Sequence, residues 1–435
     1  MKKGCLTGYA LSAILLASTP AGGAEEIPVV RQRLPSGLTI LVRENPAAPV
    51  VAVSLLVRVG SGWERPASSG ITNLLQQVMV KGTERRGALE IAETAEGIGG
   101  SVSASAETDF SEIRGSALAR HWRELLELVA DIVLRPALAA SEIEGERRVL
   151  LSAIRSRTDQ PFQRALDTLM EQVYGGHPYA LPSLGRREVV ARLGREELLE
   201  HYRQHYRAGR TVVSVSGQVA AREVAAEIAR LFASMPAGEG EAAAVVPVVP
   251  AAAERTIVTH PAAQAQVLVG VLAPPLSHPD YAAMKVLSTA LGGGMAGRLF
   301  RELRDKQGLA YSTGAFYPSR VGRGVLVAYL GTAPANAEKA EEGIRKELAR
   351  LGREALGAEE VARARTYLLG QFALDRRTNA RLAWYQAFFE SAGVGHDFAE
   401  RYARAVEAIT AEDVQRVARA YLGVPTVVSL RPPGQ

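Results

Sequence analysis

The chain has 435 residues, 47% apolar and 22% charged, a globular composition that excludes a disordered or fibrous protein. Lys and Arg number 51 against 46 Asp and Glu, and two of the basic residues, Lys2 and Lys3, lie in a segment expected to be removed. The remaining excess of about +3, with no basic cluster interleaved with aromatics, gives no reason to expect a nucleic-acid partner. The single cysteine, Cys5, rules out a disulfide framework and any cysteine-based metal site or nucleophile.

Residues 1–24 read as an export signal. Lys2-Lys3 is a positive start, Tyr9 to Ala17 a short apolar core, and Gly22-Gly23-Ala24 a small-residue cleavage region. The apolar run is too short for a membrane span, so an exported, periplasmic protein without stable membrane insertion is expected. Residues 25–235 then form a first domain. Thr39–Val42 and Val50–Val57 are β-rich, Ser101–Ala106 reads as a further strand, and Glu124–Val133 has helical periodicity. Residues 236–254, rich in Ala, Pro and Gly, read as a linker, and residues 255–435 as a second domain.

The two domains repeat one another. Ser141-Glu142-Ile143 opens a helical stretch to Ile154, as Ala358-Glu359-Glu360-Val361 opens one to Phe372. Tyr206 and Thr211–Val215 recur as Tyr421 and Thr426–Leu430. The offset is 217 at Glu142/Glu359 and 215 at Tyr206/Tyr421, the mark of a duplicated unit. The element order is not strict β-α alternation. The expected fold is α+β, with two homologous domains, each a mostly antiparallel sheet with helices packed on one face.

Between Ser69 and Thr83, the residues Ile71, Leu74, Leu75, Val78 and Met79 mark one apolar helix face. Asn73, Gln76 and Gln77 share the opposite side, and by themselves read as a solvated polar face. Glu197, His201 and His205 are spaced one turn apart, but the reading preferred is again a solvated helix face rather than a metal site.

The stretch Gly70-Ile71-Thr72-Asn73-Leu74-Leu75-Gln76-Gln77-Val78-Met79-Val80-Lys81-Gly82-Thr83 resembles the zinc motif of the pitrilysin/insulinase peptidases, a family that includes the mitochondrial processing peptidase. That family's frame is G-L-x-H-x-x-E-H-x-x-x-K-G-T. The frame is kept here and the chemistry is not. Asn73 and Gln77 stand for the two His ligands, and Gln76 for the general-base Glu. Ala153, beside Ser152, stands near the place of the third ligand, a Glu roughly 75 residues on. Neutral amides are poor zinc ligands and cannot take a proton from a metal-bound water. Pro35-Ser36-Gly37-Leu38, Gly60-Ser61, Leu181 to Gly185 and Tyr206 to Gly217 extend the resemblance over most of the chain.

In the second domain, Leu291-Gly292-Gly293-Gly294-Met295 is expected to open a helix from Ala296 to Lys306, with Met295 in its apolar stripe and Arg298 on its polar face. Leu303-Arg304-Asp305-Lys306-Gln307-Gly308-Leu309-Ala310-Tyr311 is similar to the family's L-R-x-K-x-G-L-A-Y. The resemblance implies that Arg304 and Tyr311 reach across to a zinc site in another domain or subunit. A guanidinium grips a peptide carboxylate or carbonyl, and a phenol donates to an oxyanion. Gly292, Gly293 and Gly294 then allow close approach of a peptide or partner, or serve a flexible loop. Ser103, Ala104 and Ser105 match the family's edge strand, where substrate is laid by strand addition; packing beneath a helix is an equal reading. The resemblance therefore implies a silent subunit that binds no cofactor itself, beside a homologous zinc-bearing partner and a peptide substrate. The rival is a peptide-binding or scaffold protein with no enzymatic role.

Overall fold

The computed structural model describes residues 28–239, 248 and 254–434. The export signal and most of the linker fall outside the described residues. Two sheets organise the chain. The first contains β1 (Val29–Arg33), β2 (Thr39–Glu44), β3 (Val50–Val57), β4 (Ser101–Ala106), β5 (Ser111–Leu118) and β6 (Thr211–Gly217), in the order β1-β2-β6-β3-β5-β4. The second contains β7 (Arg255–Thr259), β8 (Ala265–Ala273), β9 (Ser312–Phe316), β10 (Gly324–Thr332) and β11 (Thr426–Arg431), in the order β7-β11-β8-β10-β9.

Leaving out β1, the two orders superpose strand for strand. Each has one parallel pair, β2 with β6 and β7 with β11, and is otherwise antiparallel. Equivalent strands begin 215 residues apart at Val50/Ala265 and at Thr211/Thr426, as a duplicated unit requires. The helices correspond too. Ile71–Met79 matches Tyr281–Gly292, Ala140–Asp159 matches Ala358–Asp375, and Pro161–Tyr174 matches Asn379–Ser391.

Strand alternation sends side chains to two different cores. Val51, Val53, Leu55 and Val57 of β3, with Val213 and Val215 of β6, pack with the first domain's own helices. Leu56 and Val212 face the other way, into the core of the second domain. In the second sheet Val267, Val269 and Val271 pack with the second domain's helices, while Leu268, Val327, Val428 and Leu430 face the opposite side.

Each of those opposite faces is covered by a helix from the other domain. Pro161–Tyr174 sets Ala165, Leu169 and Val173 against the second sheet, and Leu169 sits where a Cβ on Gly270 would stand. Asn379–Ser391 packs across β3 and β6 of the first sheet. That contact is more polar: Ser214 donates to Gln386 at 3.2 Å, Ser216 to Asn379 at 3.2 Å, and Asn45 to Asn379 at 2.7 Å. Aromatic packing of Phe110 on Phe388, with centroids 5.5 Å apart, completes it. This reciprocal exchange was not visible in the sequence.

Candidate functional site

The motif helix runs Ile71–Met79. It is wedged between β4, β5 and the helices Ala140–Asp159 and Arg195–His205. The solvated polar face expected for its amides is therefore absent. Asn73 is buried, Gln76 is fully buried and Gln77 is half-buried, because neighbours close on the helix from every side. Gln76 donates through Nε2 to the hydroxyl of Tyr206, itself buried, and its Oε1 is left without a hydrogen-bond partner. Asn73 and Gln77 make no hydrogen bond to another side chain among the described residues.

The helix entry is fixed by Glu64, a residue the sequence reading missed. Its carboxyl accepts from the backbone N–H of Gly70 at 2.7 Å and of Thr72 at 3.0 Å, satisfying donors that a helix start leaves free. Burial raises its pKa to about 7, against the lowering by those two N–H groups. Gly70 itself has φ +96, and a Cβ there would strike Val190 and Gly185. Gly185, with φ +86, in turn leaves no room for a Cβ beside the Gly70 backbone. The two glycines lock the motif helix to the loop that precedes Arg187–Val190.

His201 and His205 are likewise buried, which corrects the solvated face expected for them. Their helix packs that side against the motif helix. Thr72 Oγ1 and His201 Nε2 are 3.1 Å apart, the two rings lie 4.5 Å apart, and His205 Nδ1 is 3.2 Å from Arg210 Nη1. Burial brings the His201 pKa down to about 3, helped by His205, and the His205 pKa to about 4, helped by Arg210. Both rings are thus neutral. Glu197, the third member of that spacing, turns away to accept from Gly194 N–H at 3.0 Å at its own helix start.

Zinc does not fit the motif site. The two ligand positions hold neutral amides, the base position holds an amide tied to Tyr206, and Ala153 offers a methyl group on an exposed part of Ala140–Asp159. Among the described residues no three His, Cys, Asp or Glu side chains converge as a metal requires.

Beside this helix lies β4, an edge strand of the first sheet, so its outward backbone groups have no strand partner. Ser103, Ala104 and Ser105 are half-buried on it, and Ser103 accepts from Arg114 at 2.9 Å. Val102 and Ala104 pack against the first core, so one face of the strand does lie under a helix while its edge stays open.

The second domain presents its residues outward. The helix expected from Ala296 to Lys306 is a shorter π-helix, Phe300–Asp305. Met295 is exposed rather than part of an apolar stripe, and Arg298 is buried rather than on a polar face. Arg298 makes a two-pronged ion pair with Glu360 at 2.7 and 3.0 Å. Arg304 is exposed and lies over the Phe300 ring at 4.9 Å. Tyr311 is 66% exposed, held by its backbone N–H to Gly331 at 2.9 Å at the head of β9. β9 is the edge strand that corresponds to β4. Within one chain no hydrogen bond, ion pair or ring contact among the described residues joins Arg304 or Tyr311 to Asn73, Gln76 or Gln77. Of the three glycines, Gly292 is pressed against Gly314 and Ala315 of β9, Gly293 against Thr289, and Gly294 takes φ +70. The close approach at Gly292 is thus to the chain's own strand.

Comparison with known proteins agrees with this geometry. The family model described as insulinase (peptidase family M16) matches residues 39–187, and the model described as peptidase M16 inactive domain matches residues 192–368. The chain is 30% identical over 357 residues to an uncharacterized zinc protease of Mycobacterium leprae, covering 81% of this chain and 80% of that protein. It is 28% identical over 368 residues to one of Rickettsia bellii, covering 84% and 86%. A solved peptidase M16 inactive domain from Pseudomonas fluorescens shares the fold with TM-score 0.87 at 22% identity, covering 93% of this chain and 98% of that one. A protease from Helicobacter pylori gives TM-score 0.87 at 22% identity, covering 93% and 100%. A duplicated sheet topology, a motif frame without its ligands and relatives matched over 80% and 86% of their length converge: the chain belongs to the insulinase family of peptidases, M16.

Proposed function

We propose that this chain is the non-catalytic subunit of an exported insulinase-type metallopeptidase complex, working in the periplasm beside a homologous zinc-bearing subunit. The observation that carries this reading is the contrast within one molecule. The frame Gly70–Thr83 is kept around side chains that fit no zinc, while Arg304 and Tyr311 stay exposed at the second domain's open edge. In this reading the Arg304 guanidinium holds a backbone carbonyl or carboxylate of the peptide, and the Tyr311 hydroxyl donates to the oxyanion forming at the partner's centre. The edge of β4, at Ser103–Ser105, takes peptide by strand addition. Relatives of this chain are named as zinc proteases, and the proposal assigns that chemistry to the partner.

The test is steady-state peptide cleavage by the reconstituted pair, with assembly followed by size exclusion. Tyr311→Phe is expected to lower turnover about 10²–10³-fold, the usual cost of one oxyanion donor, with assembly intact. Arg304→Ala is expected to weaken peptide binding, turnover or both. Full activity of both variants in an assembled pair overturns the reading in favour of a stand-alone peptide-binding protein.

A further inference from the structure

A cavity of 720 Å³ opens between the two domains, on the face of the first sheet opposite the motif helix. Its size lies in the range of sites for small organic ligands. The first domain contributes Glu107, Phe110 and Arg114, and the second domain the rest of the wall.

The apolar side is aromatic. Phe372, Trp384 and Phe388 line it, with Trp384 and Phe388 stacked at 8° and 5.0 Å. Four cations, Arg114, Lys285, Arg320 and Arg381, line the same cavity with two carboxylates, Glu107 and Asp375, and Arg381 lies over the Trp384 ring at 4.3 Å. Two of those cations are already engaged. Arg381 grips Asp375 at 2.5 and 3.1 Å, and Asp375 also accepts from Tyr385 at 2.6 Å. Arg114 donates to Ser103 and lies 3.6 Å from Glu112.

Lys285 and Arg320 are different. Lys285 Nζ donates to the backbone carbonyl of Tyr317 at 2.6 Å and lies 5.3 and 5.0 Å from the ring centroids of Tyr281 and Tyr317. All three are neutral partners. Arg320, three residues beyond Tyr317, has no ion pair among the described residues. Glu107 lies near enough to feel its charge but not to pair with it, and burial raises the Glu107 pKa. Burial also brings the Lys285 pKa down to about 8, the direction expected of an ammonium lacking a counter-charge. A cavity lined by aromatic rings and by two cations that make no ion pair among the described residues is complementary to one kind of molecule.

We infer that this cavity binds a carboxylate joined to an aromatic or aliphatic body, the carboxylate lying between Lys285 and Arg320 and the body against Phe372, Trp384 and Phe388. The ligand is either a free organic acid or the C-terminal end of a short peptide, since both present the same chemistry. The inference is independent of the partner subunit, because every residue it uses belongs to this chain and none is in the motif helix.

The experiment titrates the full chain with 3-phenylpropanoate and with Gly-Gly-Phe, reading tryptophan fluorescence for Trp384 and calorimetry in parallel. Saturable binding of either probe is expected. The alcohol 3-phenylpropanol, and Gly-Gly-Phe amide, should bind about tenfold more weakly or worse, because each lacks the charge. Binding of the acid alone identifies a free acid as the source, and binding of the peptide alone a chain terminus. Lys285→Met and Arg320→Gln should each weaken the binding about tenfold. Arg320→Gln decides the matter if Lys285→Met fails to fold, since Arg320 holds no ion pair that folding needs. Absence of saturable binding of both acids up to about 5 mM overturns the inference. So does equal binding of the uncharged analogues, or wild-type affinity in a folded Arg320→Gln.

Discussion

The motif helix Ile71–Met79 and its counterpart region in the second domain began as copies and now do opposite things with their polar groups. In the first domain they are turned inward. Glu64 caps the helix start, Thr72 meets His201, Gln76 is tied to Tyr206, and the cluster is sealed from water. In the second domain Lys285 faces a cavity, and Arg304 and Tyr311 face solvent. A zinc ligand set has to be partly open, because water and substrate must reach the metal. With no ligands there, the helix Ile71–Met79 packs as part of the first domain's core. The second domain keeps Arg304 and Tyr311 at its surface, and the first keeps the open edge of β4.

Four changes sharpen or break this contrast. The largest effect is expected at the glycine pair that holds the motif helix. Gly185→Ala forces a side chain into the Gly70 backbone at a positive φ, and should cost about 4 kcal/mol in urea unfolding. A loss below about 1 kcal/mol would mean that this junction yields easily and the first domain is less rigid than described.

Next comes Arg298→Ala, which removes a buried guanidinium and leaves the half-buried Glu360 carboxylate without its two-pronged partner. A loss of about 3 kcal/mol is expected, moderated by Arg301 at 3.7 Å from the same carboxylate. An unchanged melting midpoint would show that Arg301 takes over.

The third is a pH effect. The Glu64 pKa in the fold, about 7, lies above its ordinary 4.5, so its contribution to stability is full below the ordinary value and is lost as pH rises through 7. His201 and His205 work the other way. Their lowered values, about 3 and about 4, give stability that is present above 6.5 and lost as pH falls. Comparing wild type with Glu64→Gln cancels the histidines. Between pH 5 and pH 8 the variant should gain about 2 kcal/mol on wild type. A difference that does not move with pH would show that Glu64 is ionised throughout.

The smallest effect is on the isolated chain carrying Arg304→Ala, whose unfolding free energy should stay within about 0.5 kcal/mol of wild type. A larger loss would make Arg304 a structural residue and remove it from the surface available to a partner.

Much of this was legible in the sequence. The strands Val50–Val57 and Thr211–Val215 announce themselves by β-branched runs, the duplication by a constant offset, and the motif frame by its glycines and Lys81-Gly82-Thr83. What was not legible depends on what lies opposite. Asn73 and Gln76 have the spacing of a wet helix face, and only the placement of four other elements makes that face dry. Met295 and Arg298 exchanged their expected surroundings because the helix there starts late and winds as a π-helix, and because Glu360, 62 residues away, comes to meet Arg298. Glu64 bonds the motif helix from a loop before it, at a spacing that no capping pattern covers. The cavity draws on residues from Glu107 to Tyr402, which nothing local connects.

The reciprocal placement of Pro161–Tyr174 and Asn379–Ser391 has a consequence for how such a chain arose. A polypeptide ending before the linker would carry a helix with no sheet to cover and a sheet with one face still wet. It would become dry on both sides only by trading helices with a second copy of itself, so its folding would be a second-order reaction, sensitive to dilution. Joining two copies end to end makes that trade intramolecular and fixes the local concentration of one copy around the other. Once fused, each copy is free to lose whatever the other supplies. A zinc site can then decay on one side without the architecture following it, provided the exchanged helices stay. Two separately expressed fragments, split within residues 236–254, should accordingly be insoluble or unfolded apart and regain the native circular dichroism spectrum when mixed.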